Sequence, residues 1–163
     1  TTDDVLSEEA AYVIVSLMKG ITEYGSGARL RHAGLEEENY IYKNIVTGYP
    51  YVFENPIAGK TGTTQNQSDG WFMGMVPNLV TGVWVGGEDR SIHFDEIGFG
   101  QGATMALPIW GQFMKNAYLN PELGISSEDF VEPENLSINL DCEKYAEQIF
   151  SDNEEEDLDS LGF

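Results

Sequence analysis

A helical repeat of hydrophobic positions opens the chain. Ser7 stands at the place of an N-cap, and Glu8 and Glu9 follow in the first turn, where negative charge stabilises a helix. The repeat predicts an amphipathic helix of about four turns that ends near residues 25–27, Gly-Ser-Gly. The hydrophobic positions of this repeat are Ala10, Ala11, Val13, Ile14, Leu17, Met18 and Ile21.

A second helical repeat follows a glycine-rich stretch. Gly98, Gly100 and Gly102 predict a flexible loop, and Pro108 fits the first turn of the helix that comes next. We expect this helix to lie on a sheet beside the first one. From residue 120 onward the pattern predicts loops, with one short amphipathic helix near residues 142–150. The hydrophobic positions of the second helix are Ala106, Leu107, Ile109, Trp110, Phe113, Met114 and Ala117.

Three hydrophobic segments between these helices predict strands. Residues 71–76 and 80–86 are joined by a short turn, so we expect them to pair as an antiparallel hairpin. β-Branched residues in the segment 57–64 predict a third strand. Trp71 and Trp84 are interpreted as packing residues of the sheet. The predicted fold is α+β, with an antiparallel sheet of at least three strands packed against helices.

The predicted strand at residues 57–64 carries the most specific chemistry. Alternation along a strand places the hydroxyls of Thr61 and Thr63 on one face and Lys60 on the other. Gly62 leaves a gap between the threonines, where another backbone or a substrate can approach. A cation, two hydroxyls and an open backbone edge suit a peptide-like ligand that bears a carboxylate. The alternative is an ordinary strand with an exposed lysine whose stem packs on the sheet.

The segment between the first helix and this strand, residues 28–56, is mixed and rich in turn-forming residues. Arg29, Arg31 and His32 form a small basic spot in it, and an aromatic run follows. We interpret the segment as a surface excursion that packs some of its aromatic side chains against the core. A loop that contacts a ligand is the alternative.

Composition narrows the choice of partners. The chain has 163 residues, of which 41% are hydrophobic, and this predicts a globular domain with a real core. Its net charge of -20 at pH 7 disfavours binding to nucleic acid and to anionic membrane. Much of the acidity lies in residues 151–163, which predicts a solvated, disordered tail, with a binding tail as the alternative. The single cysteine, Cys142, cannot form an internal disulfide.

Three short motifs match active-site patterns only in part. Gly59-Lys60-Thr61 ends like a phosphate-binding P-loop, but the preceding glycine is missing and no helix pattern follows, so nucleotide binding is rejected. Ser16 and Lys19 form an S-x-x-K pair on one helical face, which is the pattern of serine acyl-transfer nucleophiles, with ordinary helix positions as the alternative. Ser137 and Asn139 spell S-x-N, which we interpret as chance. We expect no cofactor and no metal.

Five stretches of the sequence, taken in order, resemble the C-terminal part of the transpeptidase domain of penicillin-binding proteins of the bifunctional class A kind. They run collinearly over about residues 5–118, and the series is more specific than any one stretch. The stretches are VLSEEAAY at 5–12, IAGKTGTT at 57–64, WFMG at 71–74, LVTGVWVG at 79–86 and ALPIW at 106–110.

This resemblance implies an activity and roles for four residues. Proteins of the family cross-link peptidoglycan stem peptides through a serine acyl-enzyme, and β-lactam antibiotics trap the same serine. Lys60 is then the catalytic residue that supports proton transfer beside the nucleophile. Thr61, Gly62 and Thr63 are the substrate-binding residues, with both hydroxyls on the carboxylate and the Thr63 N–H in the oxyanion hole.

The resemblance also implies that the nucleophile lies outside this chain, because the family's serine motif lies far upstream of K-T-G. We expect residues 1–119 to be the C-terminal portion of a transpeptidase domain, 120–150 an extension and 151–163 the tail. The abrupt start of the chain is consistent with a piece of something longer. The expected partners are the stem peptide, β-lactams and the N-terminal half of the same protein. Full-length members also carry a glycosyltransferase and a transmembrane helix, which implies anchoring in the cytoplasmic membrane with this domain on the periplasmic or extracellular side.

Two other classes of function stay open at this point. A serine β-lactamase-like hydrolase shares the K-T-G strand, although the sequence WFMG at 71–74 and the lack of a context for a deacylating glutamate argue against it. A non-catalytic interaction module would use the aromatic excursion or the acidic tail to recruit a partner.

Overall fold

The computed structural model describes residues 5–31 and 52–141. The short helix predicted near residues 142–150, the acidic tail and most of the predicted excursion lie outside the described residues. The chain divides into two compact units, one of residues 15–130 and one of residues 1–14 with 131–163. The K-T-G strand lies in the first of these units. The domain boundaries expected from the sequence stay a prediction.

The larger unit is built on a three-stranded antiparallel sheet in the order β1–β2–β3. The strands are β1, Ala58–Thr63, β2, Asp69–Val76, and β3, Leu79–Gly86. β2 and β3 form the predicted hairpin. The pairing of β1 with β2 sets Lys60 opposite Met73 and Thr61 opposite Phe72. The prediction of a meander of at least three antiparallel strands is confirmed.

Helices pack closely against one face of this sheet at positions occupied by glycines. Two short helices, α2, Ile97–Gly100, and α3, Gly102–Met105, lead into α4, Leu107–Tyr118. The prediction of a flexible loop at the glycines is wrong, since they lie in or beside these two helical turns. The reason is close packing: a Cβ atom on Gly102 would collide with the carbonyl oxygens of Gly62 and Trp71. Glycine therefore allows α3 to lie directly on β1 and β2.

The core lies between α4 and the sheet. Trp110 of α4 is fully buried, and its ring centroid lies 5.1 Å from that of Phe72 in an edge-to-face arrangement. The ring of Phe53 also packs against Trp110, at 6.2 Å, so the excursion does contribute one aromatic side chain to the core. Gly74 on β2 makes room for the indole, because a Cβ there would lie 2.5 Å from its ring atoms. Trp110 also donates a hydrogen bond from Nε1 to Thr81 Oγ1.

The first helix, α1, spans Glu8–Glu23 and begins at the predicted N-cap, where the Ala10 N–H donates to Ser7 Oγ at 3.2 Å. Thr22 is its only fully buried residue, and Leu17 is 68% exposed. The expectation that both helices lie side by side on the sheet is therefore wrong. The last turn of α1 nevertheless reaches the sheet, since the Thr22 hydroxyl donates to the carbonyl oxygen of Ile57 at 2.5 Å, directly before β1.

The described residues at the two ends of the predicted excursion are joined by hydrogen bonds. The Phe53 N–H donates to the Leu30 carbonyl oxygen at 2.9 Å. The Arg31 guanidinium donates to the carbonyl oxygens of Phe53 and Asn55, at 3.0 and 2.5 Å. Burial lowers the pKa of Arg31, with the charge of Glu23 acting in the opposite direction. The described residues up to Arg31 and from Val52 onward are thus joined to each other by hydrogen bonds.

The smaller unit is described at residues 5–14 and 131–141. Glu9 Oε1 accepts hydrogen bonds from the backbone N–H and the hydroxyl of Ser137, at 2.6 and 2.5 Å. These bonds lower the pKa of Glu9, the side-chain bond having the larger effect. The hydroxyl of Ser137 is engaged by a carboxylate, as suits the interpretation of its S-x-N motif as chance.

Candidate active site

β1 is an outer strand of the sheet among the residues described. Just beyond it, the Thr64 N–H donates to the Asp69 carbonyl oxygen at 3.1 Å. Antiparallel pairing alternates between hydrogen-bonded and non-bonded residues, so Lys60 and Gly62 direct their backbone groups toward β2. The carbonyl of Thr61 and the N–H of Thr63 then point the opposite way. They line the free edge of β1, where no other described strand pairs with them.

Lys60 is exposed and turns its side chain toward this edge. Its Nζ donates to the carbonyl oxygen of Thr61 at 2.7 Å. Its backbone partner Met73 is also exposed, whereas Thr61 lies opposite the fully buried Phe72. Lys60 therefore projects from the outer face of the sheet, and the cation ends beside the free edge.

The hydroxyls of Thr61 and Thr63 lie on the other, helix-covered face, as the alternation predicts. Thr61 Oγ1 lies 2.6 Å from Ser26 Oγ, in the turn after α1. Thr63 Oγ1 accepts a hydrogen bond from the Gly102 N–H at 3.0 Å, at the start of α3. Each threonine oxygen is thus held by one of the two helical segments that flank β1.

Gly62 lies opposite Trp71 in the sheet. A Cβ atom added to Gly62 would lie 3.2 Å from the Cβ of Trp71, which is tighter than an ordinary carbon contact. The gap expected beside Gly62 is therefore partly occupied by this neighbouring side chain. A larger residue at position 62 would press on Trp71 of β2.

The connection from β1 to β2 is closed by side-chain hydrogen bonds. Thr64 Oγ1 accepts from the Asp69 N–H at 3.0 Å and lies 3.0 Å from Ser68 Oγ. Asn66 and Gln67 have positive φ angles of 60° and 51°, so the backbone reverses direction sharply there. This tight closure fixes the end of β1 and with it the direction of the Thr63 N–H.

The S-x-x-K pair on α1 is engaged elsewhere. Lys19 Nζ donates to both carboxylate oxygens of Asp129, at 2.7 and 2.8 Å. Within the described chain no hydrogen bond joins Ser16 to Lys60, whose ammonium bonds to Thr61. The pair therefore lacks the free lysine that a serine nucleophile needs.

The outer face of the sheet carries exposed apolar side chains. Trp71, Met73 and Trp84 are 44%, 41% and 47% exposed. The two indoles are cross-strand partners with ring centroids 6.4 Å apart. Lys60 projects from the same face, so the cation stands at the margin of an apolar surface.

Two residues of this arrangement were missed in the sequence. The sequence pattern assigns Ser26 only to a helix end and Gly102 only to a loop. A serine between two glycines carries no signal of its partner, because Thr61 is distant in sequence. Among the described residues, no group of three or more His, Cys, Asp or Glu side chains could hold a metal ion. No helix in the described ranges is long and apolar enough to cross a membrane.

Comparisons with known proteins agree on one family. The chain is 35% identical over 118 residues to penicillin-binding protein 1A of Clostridium tetani, covering 72% of this chain and 13% of that protein. It is 40% identical over 93 residues to penicillin-binding protein 1A of Aquifex aeolicus, covering 55% of this chain and 11% of that protein. The chain therefore spans about an eighth of the length of these relatives. No protein-family model matches it.

A solved structure gives the same result. The crystal structure of penicillin-binding protein 1A from Haemophilus influenzae aligns with a TM-score of 0.54 and 26% sequence identity, over 81% of this chain and 17% of that one. The sequence relatives and this structural neighbour carry the same name, and the α+β fold agrees with both. The chain belongs to the class A penicillin-binding proteins, as a segment of one.

Proposed function

We propose that this segment supplies the K-T-G strand of a peptidoglycan D,D-transpeptidase, whose serine nucleophile lies in another part of the protein. In this proposal Lys60 is the catalytic residue of the strand, and Thr61, Gly62 and Thr63 bind the substrate. The reaction cross-links stem peptides through a serine acyl-enzyme, and β-lactams acylate the same serine. The alternation of β1 is the observation that carries the proposal, because it brings the Lys60 ammonium and the Thr63 N–H to one free edge.

The chemistry of that edge suits acyl transfer. A fixed N–H that meets no partner in the sheet is available to an oxyanion, and losing one such donor typically costs about 3 kcal/mol of transition-state stabilisation. The Lys60 ammonium stands next to it and supplies positive charge where a proton must leave the attacking serine. Thr61 and Thr63 add two hydroxyls that suit the carboxylate of a stem peptide or a β-lactam.

The proposed partner within the protein is the half that carries the nucleophile. Trp71, Met73 and Trp84 are neighbouring exposed apolar side chains on one face, and Lys60 projects beside them. A serine that approaches Lys60 from this side would bring its own domain half onto the same surface. Covering the surface would also remove water from around the lysine and strengthen its electrostatic effect.

The remaining proposals concern the whole protein. The stem peptide and β-lactams are its proposed ligands. Anchoring in the cytoplasmic membrane, with this segment on the periplasmic or extracellular side, is its proposed location. A glycosyltransferase elsewhere in the full-length protein is proposed on the same ground, which is the membership in class A.

Fluorescent penicillin tests the proposal on the full-length protein. We expect wild-type protein to be labelled stoichiometrically and the Lys60→Ala variant to be labelled at least about a hundredfold more slowly. Lys60 is exposed, and within the described ranges its ammonium bonds only to the Thr61 carbonyl oxygen, so the variant should unfold at the wild-type temperature. Lys19→Ala is the matched control, because it removes another lysine ammonium that is bonded outside the proposed site.

Three results would decide against the proposal. Equal labelling of wild type and Lys60→Ala would remove the catalytic role of the strand and favour an interaction module. Rapid hydrolysis of a chromogenic cephalosporin by the full-length protein would favour the β-lactamase-like alternative. Stoichiometric labelling of this segment by itself would place a nucleophile within it.

A further inference from the structure

Ser26 lies in a turn whose shape depends on its two neighbours. The N–H of Gly27 donates to the Ile21 carbonyl oxygen at 2.9 Å, which folds the chain back onto the last turn of α1. A Cβ atom on Gly25 would lie 3.0 Å from the Ile21 backbone, and one on Gly27 would lie 3.2 Å from the Ile21 oxygen. The two glycines therefore permit a compact turn, and this turn directs the side chain of Ser26 toward β1.

The turn is fixed to β1 at two places. The Thr22 hydroxyl reaches the Ile57 carbonyl oxygen at 2.5 Å, and Ser26 Oγ reaches Thr61 Oγ1 at 2.6 Å. Ser26 follows Thr22 by four residues, and Thr61 follows Ile57 by four residues. The end of α1 therefore runs alongside the first half of the strand. Thr22 is fully buried and serves as the anchor, whereas Ser26 is exposed and lies at the candidate site.

The direction of these hydrogen bonds decides what the threonine hydroxyls can do. A hydroxyl group carries one hydrogen and can accept two hydrogen bonds. Thr63 Oγ1 accepts from the Gly102 N–H, so its own hydrogen is free to be donated to a ligand. Thr61 reaches the same state only when Ser26 is the donor in their pair. In that arrangement the accepted bond also polarises the Thr61 hydroxyl and strengthens its donation.

We infer that Ser26 is a positioning residue, which donates its hydroxyl hydrogen to Thr61 and thereby aims the Thr61 hydroxyl hydrogen at the carboxylate of the substrate or β-lactam. This inference rests on the proposed function of β1. With Gly102 acting in the same way on Thr63, the two helical segments beside the strand prepare a pair of parallel donors before the ligand arrives. A carboxylate then meets two oriented hydroxyls, and little ordering is left to be done on binding.

The test measures acylation of the full-length protein by benzylpenicillin and by its methyl ester, which lacks the carboxylate. We expect Ser26→Ala to lower the second-order rate constant for benzylpenicillin by about three- to tenfold, the usual worth of one hydrogen bond. The same variant should react with the methyl ester at the wild-type rate. Ser26→Thr retains the hydroxyl and should restore most of the rate with benzylpenicillin.

A double-mutant cycle with Thr61→Val separates positioning from a general structural role. If Ser26 acts through Thr61, Ser26→Ala should have no further effect in the Thr61→Val background. An equal loss in both backgrounds, or an equal loss with the ester, would overturn the inference. Wild-type protein that acylates while Ser26→Ala is unchanged would overturn the inference alone. Wild-type protein that fails to acylate would overturn the proposed function, and the inference with it.

Discussion

The ammonium of Lys19 lies 2.7 and 2.8 Å from the two carboxylate oxygens of Asp129. The lysine of the S-x-x-K motif is thus the partner of an acidic residue more than a hundred positions away, rather than of Ser16. The pair ties α1 to the segment after α4 and explains why a motif with catalytic spacing can serve structure here.

Asp129→Asn should weaken this attachment in a pH-dependent way. Burial raises the pKa of Asp129, but hydrogen bonds from Lys19 and Phe130 and the charge of Lys19 outweigh it, so the net shift is downward. The contribution of the carboxylate to stability is therefore present above about pH 4 and is lost as the pH falls through the folded-state pKa. Because Asp129 is largely exposed, we expect Asp129→Asn to lower the free energy of unfolding by at most about 1 kcal/mol at neutral pH and low salt.

Urea unfolding of wild type and variant at pH 7 and below pH 3 measures this difference. The gap between the two proteins should shrink on acidification and also on addition of salt, which screens the pair. A gap that widens at low pH would contradict the assigned direction of the shift.

Gly74→Ala should destabilise the larger unit. The added methyl group would meet the Trp110 indole at 2.5 Å, and the indole is enclosed by Phe72 and Phe53. Overpacking of this kind costs about 1–3 kcal/mol. Gly20→Ala is the control, since Gly20 lies within α1 and nothing lies within 4 Å of the new Cβ. It should stabilise the helix by about 0.5–1 kcal/mol. Thermal unfolding of both variants measures the difference in stability. Equal melting temperatures of Gly74→Ala and Gly20→Ala would contradict the packing described for Trp110.

Arg31→Ala should loosen the base of the excursion. The guanidinium holds two backbone carbonyls, of Phe53 and Asn55, and its removal leaves them without that donor. We expect a loss of about 1–3 kcal/mol in the free energy of unfolding. Arg90→Ala removes an exposed arginine of the loop after β3 and should change stability by no more than about 0.5 kcal/mol. Urea unfolding measures these differences. A variant with residues 32–51 replaced by a short Gly-Ser linker should remain folded. Unfolding of that variant at ambient temperature would contradict the role of the hydrogen bonds between Leu30, Arg31 and Phe53.

Met73→Glu tests the proposed docking of the nucleophile-bearing half. In the full-length protein this change would place a charge between two apolar surfaces. We expect the free energy of unfolding to fall by about 2 kcal/mol or more and acylation by penicillin to slow down. Ile109→Glu is the matched control, because Ile109 is a similarly exposed hydrophobic residue on α4 rather than on the outer face of the sheet. Calorimetry of the full-length variants gives the answer, and equal effects of the two changes would count against docking at Met73.

The strands and the second helix could be predicted from the sequence because their signals are local. The β-branched run around Lys60, the hairpin spacing and the periodicity around Trp110 each lie within one element. The faces of Lys60 and Thr61 followed from alternation alone. These features need no knowledge of distant residues.

The contacts between elements could not be predicted in this way. Thr61 and Ser26 are neighbours only because two glycines fold the end of α1 against β1, and each glycine is compatible with many other turns. The helical turns around Gly102 escaped prediction for the same reason, since the surface that demands a glycine belongs to β1 and β2. The exposure of Leu17 was also hidden, because amphipathic periodicity shows that a helix has an apolar face but not what covers it.

The edge of β1 that no described strand pairs with has a consequence for the behaviour of copies of the chain in solution. An outer strand with open N–H and C=O groups accepts a strand from another molecule, which is a common beginning of aggregation. At neutral pH the charge of -20 makes such molecules repel one another. Acidification neutralises the carboxylates and removes that repulsion, so self-association should set in as the solution approaches the isoelectric point near 4.1.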